Sequence, residues 1–257
     1  METNVIYNED CIGENGMCRL PDNSVDLILT DIPYLVSRET NFKSIKDYTK
    51  KEGETEYSCM NFGEWDFDFD VKKYIKECTR ILKPSRSIIV WCAWQQLNLI
   101  DKLMRNFLKD KSGSSRIGKW KKTNPAVFNM DKMPISDTEY FIWNRKGSNW
   151  IFNKQCEGAE DLFFEHSCIQ GGHPTEKPVS IFEYLIKTFT NEGDIVFDGC
   201  LGRGTTAESC INTNRKFIAY EKGKEWYYKS LKRIGKFNKF YYKELPKSER
   251  PAQKQLF

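Results

Sequence analysis

Val25-Asp26-Leu27-Ile28-Leu29-Thr30-Asp31-Ile32-Pro33-Tyr34 is the stretch that decides how the chain is read. Residues 25–29 form a short apolar run rich in strand formers. The run stops at a carboxylate, a proline and an aromatic ring. In parallel α/β sheets, ligands bind beyond the carboxyl ends of the strands, and this cluster falls there. Pro33 has its own φ fixed and pushes Ile32 into extended backbone, so the turn is stiff. A stiff turn can aim the Asp31 carboxylate and the Ile32 backbone carbonyl at one point. Both are hydrogen-bond acceptors, and a planar amino group has two N–H donors to satisfy them. Tyr34 then stacks on the ring carrying that amine. The other reading is an ordinary strand end, with Asp31 capping a turn and Tyr34 packed in a core. The rest of the chain decides between the two.

Outward from that stretch, strands and helices alternate. Val5-Ile6-Tyr7 reads as a short strand, and Cys11 to Leu20 as a short helix or turn. Val71 to Leu82 has helical spacing, with Val71, Tyr74, Ile75, Cys78 and Leu82 on one face, and Lys83-Pro84-Ser85 ends it. Ser87 to Trp91 is a buried strand by composition. Gln95 to Leu108 reads as a helix with Leu99, Leu103 and Phe107 on one side, followed by a basic, exposed loop from Lys109 to Lys122. Ala126-Val127-Phe128 and Glu139 to Trp143 read as strands near one edge, and Asn144 to Gly172 as irregular. A helix is expected over Val179 to Thr190, a strand over Asp194 to Phe197, a helix from about Thr205, a strand over Lys216 to Tyr220 and a helix over Glu225 to Ile234. Such alternation implies a parallel, helix-covered sheet. Residues 37–60 are polar and without periodicity, which fits a mobile binding loop, and residues 241–257 read as a flexible tail.

Asp198-Gly199-Cys200-Leu201-Gly202-Arg203-Gly204-Thr205-Thr206 forms a second constellation, a strand–glycine-rich turn–helix unit. Glycines let backbone approach a ligand, and the helix N-terminus presents free N–H groups. Neither G-x-x-x-x-G-K nor G-x-G-x-x-G is present, which disfavours phosphate-loop and dinucleotide binding. About twenty residues on, Glu221 ends the next strand, where an acidic residue grips ribose hydroxyls. A nucleoside ligand without a pyrophosphate fits these features; a tight connection capped by Asp198 is the alternative.

At 257 residues the chain suits one large α/β domain. Hydrophobic residues make up 39% and charged residues 30%, enough for a core with a soluble exterior. No apolar run reaches membrane-spanning length and the N-terminus lacks a signal peptide's regions, so a cytoplasmic protein without membrane contact is expected. Nine scattered cysteines without a C-x-x-C pair, and two histidines, argue against a zinc site or a disulfide framework. Net charge is only +4, but Lys102 to Lys122 and the tail after Asn212 are strongly basic. Those blocks fit a polyanionic partner, or else a solvated helix face and a loose tail.

Taken together, these residues resemble the S-adenosylmethionine-dependent amino-methyltransferases of DNA. Asp31-Ile32-Pro33-Tyr34 resembles their D-P-P-Y, with Ile32 in place of the first proline. Cys200-Leu201-Gly202-Arg203-Gly204 resembles their F-x-G-x-G-like turn. Glu77 to Val90 is similar to E-x-x-R-x-L-K-P-x-x-S-I-I-V, Trp120 to Pro125 to W-x-K-x-N-P, and His173 to Pro178 to H-P-T-x-K-P. The likeness covers most of the chain. The catalytic tetrapeptide precedes the glycine turn, the permuted order of the beta subgroup, and the reverse of the protein-glutamine methyltransferases that share N-P-P-Y.

The resemblance implies a Rossmann-like, mostly parallel seven-stranded sheet with helices on both faces, and a single catalytic domain over residues 1–257. It implies that Asp31, Ile32, Pro33 and Tyr34 hold the target base. It assigns the cofactor's methionine end to Asp198, Gly199, Gly202, Gly204, Thr205 and Thr206, with Asp31 close by. Glu221 takes the ribose hydroxyls, Asp10 the adenine amine, and His173, Thr175 and Lys177 close over the amino-acid part. The implied reaction is transfer of a methyl group from S-adenosylmethionine to adenine N6 in flipped-out bases of double-stranded DNA, without a metal. Residues 101–125 and 144–172 are expected to recognise DNA, with Arg116, Lys119, Lys121 and Lys122 as contacts. A homodimer is one way to extend the short recognition region. Cytosine N4 as the target, a catalytically silent cofactor- or DNA-binding subunit, and an RNA substrate are the alternatives.

Overall fold

A computed structural model describes residues 1–34, 69–110, 113–125, 132, 134–157, 161–168 and 176–235. The expectations placed at 37–60, at Ala126-Val127-Phe128 and at 241–257 lie outside the described residues, as do His173 and Thr175. Among the described residues the strands form one sheet. Its order is β1 (Val5–Tyr7), β8 (Lys216–Tyr220), β7 (Ile195–Asp198), β2 (Val25–Asp31), β3 (Leu82–Cys92), β5 (Thr138–Lys146), β4 (Arg116–Lys122) and β6 (Phe163–His166). Only β5 is antiparallel to its neighbours; every other pairing is parallel. Eight strands stand where the resemblance implied seven, because β6 adds an outer strand beside β4.

Helices cover both faces, as expected. On one side α3 (Val179–Phe189), α4 (Thr205–Asn212) and α5 (Lys224–Gly235) pack Leu185, Ala207 and Leu231 with Leu27, Leu29, Trp91 and Phe141. On the other, α1 (Val71–Ile81) and α2 (Leu97–Leu108) pack Tyr74, Ile75, Ile100 and Met104 with Ile28, Val90 and Ile142. Asp70 caps α1 by accepting the Lys73 N–H at 2.9 Å, and the apolar spacing of α1 then carries Val71, Tyr74, Ile75 and Cys78 inward. From β2 the chain steps to β3 on one side; from β7 it steps to β8 on the other. The crevice between β2 and β7 is therefore the topological switch point, where open α/β sheets bind their ligands.

Four local expectations need correction. The basic run from Lys109 to Lys122 is not all loop: Arg116–Lys122 is strand β4, hydrogen-bonded on both edges. Gly118 misled the reading. It lies beneath the Phe141 ring, and a Cβ there would come within 2.0 Å of that ring, so the glycine serves close packing and not a turn. The interval from Asn144 to Gly172 contains the end of β5 and all of β6. In α2 the buried line is Ile100, Met104 and Leu108, while Leu99 is 49% exposed. Two apolar lines of equal period lie side by side on that helix, so spacing alone could not choose. Finally, β3 begins at Leu82. Its pairing with β2 slips between Leu82 and Ser87, and Lys83 and Arg86 in the slipped stretch pair with buried Asp26 at 2.8 and 2.9 Å.

Candidate active site at the β2 and β7 strand ends

Asp31 is the last residue of β2, opposite Trp91 on β3. Ile32 continues that pairing by donating its N–H to the Trp91 carbonyl at 3.2 Å, and its side chain is buried on the α1 side. A proline there would have no N–H to give. The Pro33 carbonyl accepts from Gln96 Nε2 at 3.0 Å, and Gln96 Oε1 accepts the Ala93 N–H at 2.9 Å. The turn after β2 is thus tied to the chain leaving β3 as well as stiffened by Pro33.

A line of alternating charge runs into Asp31. Lys177 Nζ stands 2.5 Å from Asp31 Oδ2 and 2.9 Å from Glu139 Oε2. Glu139 Oε1 is 2.6 Å from Lys122 Nζ, and the Tyr34 hydroxyl donates to Glu139 Oε2 at 3.0 Å. Asp31 Oδ1 is buried and has no hydrogen-bond partner among the described residues. Burial pushes the Asp31 carboxyl upward, with Lys177 pulling against it and Glu139 adding to it. Burial acts on Glu139 in the same sense, yet Lys177 and Lys122 hold that carboxyl at about 2. Lys177 is raised: burial disfavours its charge, and Asp31 and Glu139 outweigh burial. Burial, with Asp31 and Glu139 beside it, lifts the Tyr34 hydroxyl well above its ordinary value, so it stays a neutral donor.

The second half of the site is the turn after β7. Asp198 Oδ1 accepts the Cys200 N–H at 3.0 Å, and Oδ2 accepts the Thr206 hydroxyl at 2.5 Å. Gly204 leads into α4, and the Arg233 guanidinium donates to Thr205 Oγ1 at 3.3 Å. The Tyr74 hydroxyl of α1 takes the Gly199 N–H at 3.2 Å and lies 2.8 Å from Thr30 Oγ1, so one side chain links the ends of β7 and β2. Glu221, past β8, accepts the Gly202 N–H at 2.8 Å and the Gly223 N–H at 2.7 Å. Gly202 has φ +56°, and a Cβ there would meet nothing within 4 Å, so the turn borders open space. Burial raises the Asp198 carboxyl to about 6 and the Glu221 carboxyl to about 7. Asp10 accepts the Ile12 N–H at 3.0 Å and pairs at 3.0 Å with Lys222, the residue that follows Glu221.

Most residues singled out from sequence come together here: Asp31 to Tyr34 in one turn, Asp198 to Thr206 in the other, Asp10 with Glu221. Lys177 sits against the Asp31 carboxylate. The four basic residues of β4 separate, because alternate strand residues face opposite ways. Arg116 and Lys122 take one face, and Lys122 is held by Glu139. Lys119 and Lys121 take the other, Lys119 4.2 Å above the Phe163 ring and Lys121 3.2 Å from Glu165. Arg116 donates to the Ser114 and Ser115 carbonyls at 3.1 and 3.0 Å. Sequence reasoning missed Glu139, Gln96 and Tyr74. Only Glu139 offered a signal, as a lone carboxylate opening an apolar strand.

The DNA methylase family model matches residues 25–232. The chain belongs to the DNA methylase family. It is 28% identical over 250 residues to the type II methyltransferase M.HpaI of Haemophilus parainfluenzae, covering 86% of this chain and 72% of that one. It is 25% identical to the DNA adenine methyltransferase YhdJ of Escherichia coli K12, covering 96% of this chain and 87% of that one. The crystal structure of the M1.HpyAVI–SAM complex superposes with a TM-score of 0.63 at 24% identity, covering 89% of this chain and 98% of that one. In this DNA methylase the family's two strand-end turns meet across one crevice. Among its described residues no helix is long and apolar enough to cross a membrane.

Proposed function

We propose that this DNA methylase transfers a methyl group from S-adenosylmethionine to the N6 amine of adenine in double-stranded DNA. The carrying observation is Asp31 Oδ1, a buried acceptor without a partner among the described residues at the tip of the catalytic turn. A buried acceptor left unpaired is costly, and an incoming amine removes that cost. The lone pair of an exocyclic amine is delocalised into its ring, which makes it a poor nucleophile. Asp31 and the Ile32 carbonyl, as acceptors, draw the N–H bonds out of the ring plane and localise that pair. Tyr34 replaces the stacking that the base loses when it leaves the duplex. S-adenosylmethionine, when bound, supplies a methyl group on a sulfonium leaving group.

The residues of the second turn suit that cofactor. Asp198 and Glu221 are carboxylates with no ion-pair partner among the described residues, and Gly202 opens the backbone beside them. A ligand with cationic centres and ribose hydroxyls complements both. Arg203, the bulky departure within the glycine turn, pairs with Glu176 at 3.1 Å, and Ile32, in place of the first proline, keeps its backbone bond. Both departures are thereby accommodated, which favours an active enzyme over a silent subunit. Asp as the first residue of the tetrapeptide favours adenine over cytosine N4, as does the likeness to an adenine methyltransferase. Lys119 and Lys121, on the outer face of β4, are the proposed phosphate contacts, with action in the cytoplasm and a homodimer to enlarge the recognition surface. The deciding experiment is transfer of tritiated methyl to unmethylated double-stranded DNA followed by digestion to nucleosides. Label in N6-methyladenine is expected. Label in N4-methylcytosine overturns the choice of base, and absence of label with intact cofactor binding overturns the activity.

A further inference from the structure

The Lys177–Glu139 pair is not explained by cofactor closure. Lys177 lies in the segment that the sequence likeness assigns to the cofactor, yet its ammonium is buried against the catalytic carboxylate. Its neighbour Glu176 points the other way, to Arg203 and Arg233 at 3.1 and 2.6 Å, on the cofactor side. Adjacent residues of one strap thus hold the two turns.

We propose that Lys177 and Glu139 are positioning residues for the catalytic carboxylate. This rests on the proposed amine methylation. A carboxylate has two equivalent oxygens and rotates freely about its last bond. Lone-pair localisation needs one acceptor in one place. Lys177 takes Asp31 Oδ2 at 2.5 Å, which leaves Oδ1 as the oxygen presented to the amine. The ammonium is itself fixed by Glu139, at 2.9 Å, and Glu139 is fixed by Lys122, at 2.6 Å. Two carboxylates and two ammonium groups alternate along this line, so the buried charge balances. Glu139 also accepts the Tyr34 hydroxyl, so the same carboxylate anchors the hydroxyl end of the stacking ring and the ammonium that holds Asp31. The Lys177 ammonium stands 5.3 Å from the centre of the Tyr34 ring and 5.5 Å from that of Trp91, within cation–π reach of both. A positively charged side chain so enclosed cannot relocate without exposing an unpaired charge to apolar surroundings.

The test is single-turnover methyl transfer by Lys177→Met, Lys177→Arg and Glu139→Gln, with cofactor affinity measured by calorimetry on the same preparations. Loss of position without loss of the reacting group costs about 100-fold in rate for Lys177→Met. Cofactor affinity should stay near the wild-type value, Lys177→Arg should recover part of the rate, and Glu139→Gln should lose less than Lys177→Met because it still accepts from Tyr34. An unchanged single-turnover rate in Lys177→Met overturns the proposal. So does a rate loss that saturating cofactor restores, which would make Lys177 a cofactor ligand. If Lys177→Met does not fold, Glu139→Gln decides alone, by rate against affinity. The label in wild-type product tests the choice of base, and the ratio of variant to wild-type rate tests the positioning, so the two fail separately.

Discussion

Asp31 and Asp198 end neighbouring parallel strands, are both largely buried, and handle charge in different ways. Asp31 meets an ammonium at 2.5 Å that is itself locked into a line of ion pairs. Among the described residues Asp198 meets neutral donors, the Cys200 N–H and the Thr206 and Thr30 hydroxyls, and burial lifts it to about 6. Glu221 beside it is likewise held by backbone N–H groups alone and lifted to about 7. One turn carries its own countercharge and has a fixed acceptor ready before substrate arrives. The other holds acidic groups with no countercharge among the described residues, which suits the proposed cationic cofactor. The same residue type at the same topological position thus stands beside an ammonium in one strand and among neutral donors in the next.

The largest effect expected from that division is a clean exchange of phenotypes. Asp31→Asn should lower methyl transfer at saturating cofactor by about 1000-fold, the scale for removing one group that stabilises a transition state, while cofactor affinity stays unchanged. Asp198→Asn should weaken cofactor binding and leave the rate at saturation largely intact. Rapid-quench transfer assays and calorimetry distinguish them, and equal loss of the same step in both variants would erase the distinction.

The next effect is a pH dependence confined to the receptor side. Asp198 and Glu221 are raised in the folded protein, so their protonated forms favour the ligand-free fold. That contribution is full below the ordinary carboxylate range and is lost as pH rises through about 6 and about 7. A cationic cofactor prefers the ionised forms. Its affinity should therefore rise about tenfold from pH 6 to pH 8 through Glu221 alone, with proton release on binding. Titration in buffers of different ionisation enthalpy reads this directly. Glu221→Gln should flatten the profile and, above pH 7, melt at a higher temperature than the parent; a wild-type affinity independent of pH would show that Glu221 does not bind the cofactor as an anion.

The smallest effect separates the lysines of β4. Lys119→Gln with Lys121→Gln should weaken DNA binding and make its salt dependence shallower by about one unit of slope per lost phosphate contact. Lys122→Gln, acting through Glu139, should slow transfer and leave the salt slope alone. Filter binding across a salt series checks both. A change of slope in Lys122→Gln with an unaltered rate would place that lysine on the DNA and not in the line of charge.

Much of this was legible in advance. The apolar run into Asp31, the glycine turn after Asp198 and Glu221 past the next strand are local signals, because strand ends and tight turns depend on neighbouring residues. The partners of Asp31 were not legible. Lys177 lies 146 residues away and Glu139 lies 105 residues from Tyr34. The resemblance placed Lys177 at the cofactor and gave Glu139 no role; pairing at such separations shows only once the chain brings the charges together. The basic run was misread for a related reason: Gly118 is a turn former by type and a packing residue by position, and only the Phe141 ring over it tells which.

The sequence by itself determined the alternation of strands and helices and the two strand-end turns, and it singled out Asp31 as the candidate acceptor, since these follow from periodicity, backbone stiffness and the chemistry of single residues. The tertiary structure alone decided which oxygen of Asp31 is left without a partner, which lysine is buried beside it and which faces outward, and why one buried acid has an ammonium next to it while the next has only neutral donors. Charge in a protein is settled by what burial removes and what distant partners restore, and that balance exists only once the chain has closed.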